Sequence, residues 1–136
     1  MLVVDASVLA VALMDNGPDG DHVRARLRGE DLAAPSLIDL EVASVWRGLA
    51  RGRQLDARRV AFALEDLRAL PLERVDHGAL IKRCWELREN LTIYDASYVA
   101  LAEVLNATLV TGDRRIARAP GPTCPIEVVQ TPSQAH

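Results

Sequence analysis

The sequence has little that could cross-link it or bind a soft metal. Its two cysteines, Cys84 and Cys124, are too few for a disulfide framework or a zinc ribbon. Each is expected to act as a small buried hydrophobe. The three histidines, His22, His77 and His136, lie far apart and form no metal-ligand spacing. No apolar run approaches the ~18 residues that cross a bilayer. The opening segment, MLVVDASVLAVALMD, has no basic leader and carries an acid at position 5. It reads as core and not as a signal peptide, which points to the cytoplasm. Lysine is almost absent: Lys82 stands among 15 arginines, and 19 acids leave a net charge of −3. Non-specific coating of nucleic acid goes with a basic excess, so any nucleic-acid partner must be held by a local patch. No P-loop or G-x-G-x-x-G motif occurs, which excludes P-loop NTPases and typical dinucleotide binders.

The composition that remains, 49% hydrophobic and 26% charged over 136 residues, is that of one globular domain. No Pro-, Ser- or Gly-rich linker, repeat or low-complexity tract divides it. The domain is expected over 1–130, followed by a frayed tail at 131–136. Short β-branched runs at 2–5, 72–75, 108–111 and 126–129, with a weaker one at 32–35, alternate with stretches of helical period. That alternation predicts an α/β fold, a three-layer α/β/α domain with a mostly parallel sheet. The run LVVD is apolar on both faces and should be a central strand. Helices are expected from Pro18, from Ser36 with Asp39 as its capping acid, from Asp56, from Asp76, from Thr92 with Asp95, and over 114–118.

Four acids stand out by position. Asp5 ends the first strand and Asp113 follows Thr111-Gly112 at the end of another, so both belong on the carboxyl rim, where open α/β sheets bind ligands. At roughly 100° per residue, Glu41 falls inside the apolar sector of its helix, between Leu37 and Val45. Asp95 lies at the edge of a stripe formed by Tyr94, Tyr98, Leu101 and Leu105. Taken singly, Asp5, Asp95 and Asp113 also read as cap or turn residues. A carboxylate on an apolar stripe is costly without a partner, and no base shares the stripe near Glu41. Acids gathered on one rim must protonate or share a cation, and carboxylate oxygens suit magnesium or manganese. Such an ion favours chemistry at phosphate, with one ion or two left open.

The segments LVVDASVLAVAL, PSLIDLEVASVWRG, LTIYDASYVALAEVLNATLVTGDRRI and IEVV resemble a PIN-domain protein, and within that superfamily the VapC toxins of VapBC toxin–antitoxin pairs. The resemblance covers roughly residues 2–130. It implies a ribonuclease dependent on Mg²⁺ or Mn²⁺, with its acidic quartet at Asp5, Glu41, Asp95 and Asp113. It assigns Ser7 and Thr111 supporting places. It implies a VapB-type antitoxin, an RNA substrate, and a homodimer that forms a heterotetramer or larger assembly with the antitoxin. Many relatives carry a further acid and an aromatic after the last Asp, where this chain has Arg114-Arg115-Ile116. Arg114, Arg115 and Arg118 are therefore candidate RNA-phosphate contacts, expected to leave metal binding little changed. A haloacid-dehalogenase-like phosphatase would need an acid at position 7, where Ser7 stands. The alternative reading is a catalytically inert PIN fold that binds RNA or protein. Two wide apolar helices joined at 52–55 are expected to form a hairpin offering the antitoxin a groove, with Trp46 and Phe62 as exposed members.

Overall fold

Val3 and Val4 have no exposed surface, and the strand they form, β1 (Leu2–Val4), lies in the middle of a five-stranded sheet. The computed structural model describes residues 1–131. The remaining strands are β2 (Leu32–Pro35), β3 (Leu72–Val75), β4 (Thr108–Thr111) and β5 (Ile126–Val128), in the order β3-β2-β1-β4-β5. All four pairings are parallel. Parallel strands need crossovers, and these are helical. They are α1 (Ala6–Met14), α2 (Pro18–Leu27), α3 (Ile38–Arg51), α4 (Ala57–Ala69), α5 (Ile81–Glu86), α6 (Ile93–Leu105) and α7 (Arg114–Arg118). The result is the three-layer α/β/α arrangement expected, with LVV at its centre.

The helix starts show which local signals prevailed. Asp56 accepts the Arg59 N–H at 3.0 Å, and Thr92 accepts the Asp95 N–H at 3.0 Å, as capping residues do. Ser36 does not cap α3. Its N–H extends the β3 ladder to the Val75 carbonyl at 2.9 Å, Leu37 takes the cap position, and Asp39 is drawn to Arg74 at 2.7 Å. Asp76 does not open α5 either. It accepts the Gly78 N–H at 3.3 Å, and a 3₁₀ turn, Gly78–Leu80, separates it from the helix.

Tyr98 is buried, whereas Tyr94, assigned to the same stripe, is exposed. Trp46 is a second correction. It is fully buried, with Nε1 donating to the Ala10 carbonyl at 3.4 Å, and so it joins α3 to α1 instead of facing solvent. Phe62 is exposed on α4 as expected. Thr131, placed by the sequence in a frayed tail, is buried. The rest of that tail, 132–136, lies outside the described residues. No helix among the described residues is long and apolar enough to cross a membrane.

Trp46 is the largest fully buried side chain, and its removal leaves a hole between two helices. Trp46→Ala should cost about 3–5 kcal/mol, read as a lowered urea midpoint with an unchanged slope. A midpoint within error of the parent would show that the α1–α3 contact does not depend on it.

Candidate active site at the carboxyl rim

The strand order reverses direction between β1 and β4: the chain leaves β1 toward β2 on one side and β4 toward β5 on the other. A crevice opens at such a switch point, at the carboxyl ends of the strands. The ladder carries one residue past β1, since the Asp5 N–H donates to the Val110 carbonyl at 3.2 Å. This fixes Asp5 at the crevice, where it also caps α1 by accepting the Val8 N–H at 3.1 Å. Asp5 is buried, and each oxygen is held. Ser7 donates to Oδ1 at 2.6 Å, and the Thr111 hydroxyl donates to Oδ2. Thr111 in turn accepts the Asp113 N–H at 3.0 Å, and Ser7 accepts the Gly112 N–H at 3.0 Å.

Gly112 is required by close approach. A Cβ there would lie 2.8 Å from Thr131 Cγ2 and 3.0 Å from Ser7 Oγ. Thr131, just beyond β5, is the side chain that Gly112 approaches most closely.

Asp113 sits on the outer lip and caps α7 by accepting the Arg115 N–H at 2.9 Å. The Arg115 side chain folds back onto the same carboxylate, with Nη2 to Oδ2 at 2.8 Å and Nε to Oδ1 at 3.1 Å. Across the crevice, Glu41 projects from the first turn of α3 and accepts the Tyr98 hydroxyl at 2.5 Å on Oε1. The partner missing from the sequence reading of Glu41 is thus a neutral hydroxyl from α6. Asp95, in the first turn of α6, is half-buried between these groups.

The charges interact. Burial pushes the Asp5 carboxyl up despite its three hydrogen bonds, and the Asp95 charge adds to the shift. Glu41 is raised by burial, against the Tyr98 hydrogen bond and with help from Asp95. Asp95 is raised by burial and by Asp113, less a contribution from Arg115. Only Asp113 is lowered, chiefly by its hydrogen bonds from Arg115. Tyr98 is raised by burial and by Glu41 beneath it, so it stays a donor. Asp95 is the common neighbour of the other three acids.

The PIN domain family model matches residues 2–122 of this chain. The chain is 44% identical over 129 residues to VapC ribonuclease Mb0985 of Mycobacterium bovis, covering 95% of this chain and 98% of that one. The chain belongs to the PIN-domain family, in its VapC branch. Solved structures share its fold. A Pyrobaculum aerophilum protein matches with a TM-score of 0.68 at 24% identity, over 86% of this chain and 84% of that one. The VapBC2 structure from Rickettsia felis, bound to a promoter DNA fragment, matches at 0.63 and 19% identity, over 96% and 100%.

In this PIN domain the four acids share one rim, but they do not meet around a point. Among the described residues no three His, Cys, Asp or Glu side chains are arranged to hold a metal ion. Asp5, Glu41 and Asp113 each have a partner of their own: Thr111 and Ser7, Tyr98, and Arg115. The donor set nonetheless fits a hard divalent cation. It offers carboxylate oxygens only, and three of its four carboxyls favour an added positive charge. Ser7 and Thr111, to which the resemblance assigns supporting places, both donate to Asp5. Arg114 and Arg118 are exposed beside the lip, while Arg115 is engaged with Asp113. Tyr98 and Thr131 were missed as site residues. Tyr98 lay on the same stripe as Asp95, but nothing in the sequence pointed to Thr131.

A carboxyl whose folded pKa lies above its unfolded value holds its proton more tightly in the folded state. Its ionised form therefore weakens folding near neutral pH, and the cost fades as pH falls through the folded value. For metal-free protein in EDTA, Asp5→Asn should raise the melting temperature over the parent at pH 7.5. That gain should shrink steadily toward pH 4. A gain that did not change with pH would exclude burial of the Asp5 charge as its source.

Proposed function

We propose that this protein is the toxin of a VapBC-type pair, an endoribonuclease that hydrolyses RNA phosphodiester bonds with Mg²⁺ or Mn²⁺ at the Asp5–Glu41–Asp95–Asp113 rim. The observation that carries this reading is the gathering of Asp5, Glu41, Asp95 and Asp113 at the sheet's switch point, with Asp95 within electrostatic reach of the other three, in a chain so similar to a named ribonuclease. Asp5 and Asp95, with Asp113 and Glu41 at the margins, would hold the ion. When bound, it would polarise a phosphoryl oxygen and make a bound water more acidic.

The chain's own residues supply the rest. Thr111, Ser7 and the Val8 N–H fix the Asp5 carboxylate, so its lone pairs need no reorganisation when a cation arrives. Glu41, with its raised pKa and its Oε1 fixed by Tyr98, is the group suited to take the proton of an attacking water. Arg114 and Arg118, exposed on α7, would draw the RNA backbone toward a rim that repels it at long range.

An apolar cleft supports the antitoxin reading. A cleft of about 550 Å³ opens between α1, α3 and the α3–α4 connection, lined by Ala10, Val11, Met14, Val45, Leu49 and Leu55, with Trp46 below. Its apolar lining suits one face of an amphipathic antitoxin helix. Phe62 does not line it, so the hairpin contributes its joint and its α3 face, not the outer face of α4.

Purified protein should cleave structured RNA in Mg²⁺ or Mn²⁺ and stop in EDTA. Asp5→Asn should fall to the EDTA background while remaining folded. Tyr98→Phe should lose about tenfold in rate, the low end for a group that orients a site carboxylate. Metal-independent cleavage, or full activity of Asp5→Asn, would leave the inert binding module as the better reading. For RNA binding, the pair Arg114→Ala and Arg118→Ala should reduce the salt slope of affinity by roughly one per lost phosphate contact. An unchanged slope would assign those arginines to solvent.

A further inference from the structure

Tyr94 is 65% exposed in the first turn of α6, next to Asp95, and we propose that its ring is a stacking platform for one unpaired base of the RNA beside the acidic rim. This rests on the nuclease reading above and assigns the rim a residue that touches substrate. Side chains on a helix lean toward its N-terminus. Tyr98 leans this way, and its hydroxyl reaches Glu41 at 2.5 Å. Tyr94 stands one turn earlier on the same face, at the about 5–6 Å Cβ spacing of such pairs. Its ring therefore projects past the Tyr98–Glu41 pair toward solvent. The backbone beneath it is held. Thr92 caps the turn by accepting the Asp95 N–H at 3.0 Å, and the Tyr94 carbonyl accepts the Ser97 hydroxyl at 2.6 Å.

The other aromatic rings are placed differently. Trp46 and Tyr98 are buried, Trp85 carries the Arg88 guanidinium 4.4 Å from its ring centroid, and Phe62 stands on α4, which bears none of the four acids. Charge favours a base at Tyr94. Four carboxylates repel phosphate, but a base is neutral. A stacked base gives RNA a hold at the rim that the acids do not oppose, while Arg114 and Arg118 draw the backbone. A ring stacks on a base only where the base offers an open face, so the ligand is an unpaired nucleotide and not a duplex step.

The test is the affinity of full-length protein, in EDTA, for a fluorescein-labelled single-stranded RNA of roughly ten nucleotides, read by anisotropy across a salt series. Tyr94→Ala should weaken binding by about fivefold or more at every salt concentration, the low end for one stacked base. Its salt slope should match the parent's, because a stack releases no counterions. Tyr94→Phe keeps the ring and should bind as the parent does. An abasic strand of the same length should bind the parent and Tyr94→Ala equally. If Tyr94→Ala fails to fold, the comparison of Tyr94→Leu with Tyr94→Phe decides, and only the Leu variant should lose affinity. Equal affinity of the parent and the ring-less variant for the base-bearing strand would overturn the inference while leaving a metal nuclease intact. A change in sedimentation alongside that equal affinity would assign the ring to a contact between copies of this chain. No RNA binding by the parent would remove the RNA reading itself, and this inference with it.

Discussion

Burying the Asp5 carboxylate at the point where the sheet reverses its strand order is the constraint on which the rest of the site depends. A carboxylate removed from water carries a cost that hydrogen bonds only partly offset. Here they do not offset it fully. Burial outweighs the donors from Ser7, Thr111 and Val8, and the carboxyl is left raised. Those donors impose demands of their own. Ser7 is held by the Gly112 N–H, Thr111 by the Asp113 N–H, and the backbone at 112 can pass Ser7 and Thr131 only as glycine. A short stretch of β4 and its exit turn is thus specified by one charge on β1.

The four acids are not equivalent. Asp5, Glu41 and Asp95 are pushed toward the neutral form, and Asp113 is pulled toward the ionised one. The division follows the partners. Tyr98 is a neutral donor and can orient Glu41 without cancelling its charge, whereas Arg115 orients Asp113 and neutralises it. The inner part of the rim therefore keeps an unmet demand for positive charge, and the outer lip does not. A cation entering the crevice would be drawn inward, toward Asp5 and Asp95.

Much of this was legible in the chain. The short β-branched runs marked the strands, because a strand covered on both faces is apolar along its length, and LVV is central as read. Glu41 stood out because a carboxylate on an apolar stripe is costly, and Asp5 and Asp113 because both end strands at the carboxyl rim. The cap reading of Asp5 and Asp113 holds without excluding the site reading. Asp5 and Asp113 cap α1 and α7, and Asp95 lies in the first turn of α6, because helices that start at the carboxyl rim present their N-termini to it. What was not legible depended on tertiary contact. Ser36 lost its cap role to a ladder bond from β3, and Asp39 lost its role to Arg74, neither visible from local spacing. Trp46 was read as exposed because its stripe is broad, and only the arrival of α1 buries it.

The apolar cleft and the acidic rim are adjacent because they share a helix. The first turn of α1 carries Asp5 as its cap, and the next two turns supply Ala10, Val11 and Met14 to the cleft. Ser7 belongs to both: it lines the cleft and donates to Asp5 at 2.6 Å. An occupant of the cleft therefore lies about one helical turn from the buried carboxylate. Any strain it places on Ser7 passes to Asp5 through one hydrogen bond, and to Gly112 through another. A partner in the cleft therefore need not touch the rim carboxylates to disturb them. Displacing a single hydroxyl that both surfaces share would deprive Asp5 of one of its donors, and Asp5 is the most deeply buried of the four acids.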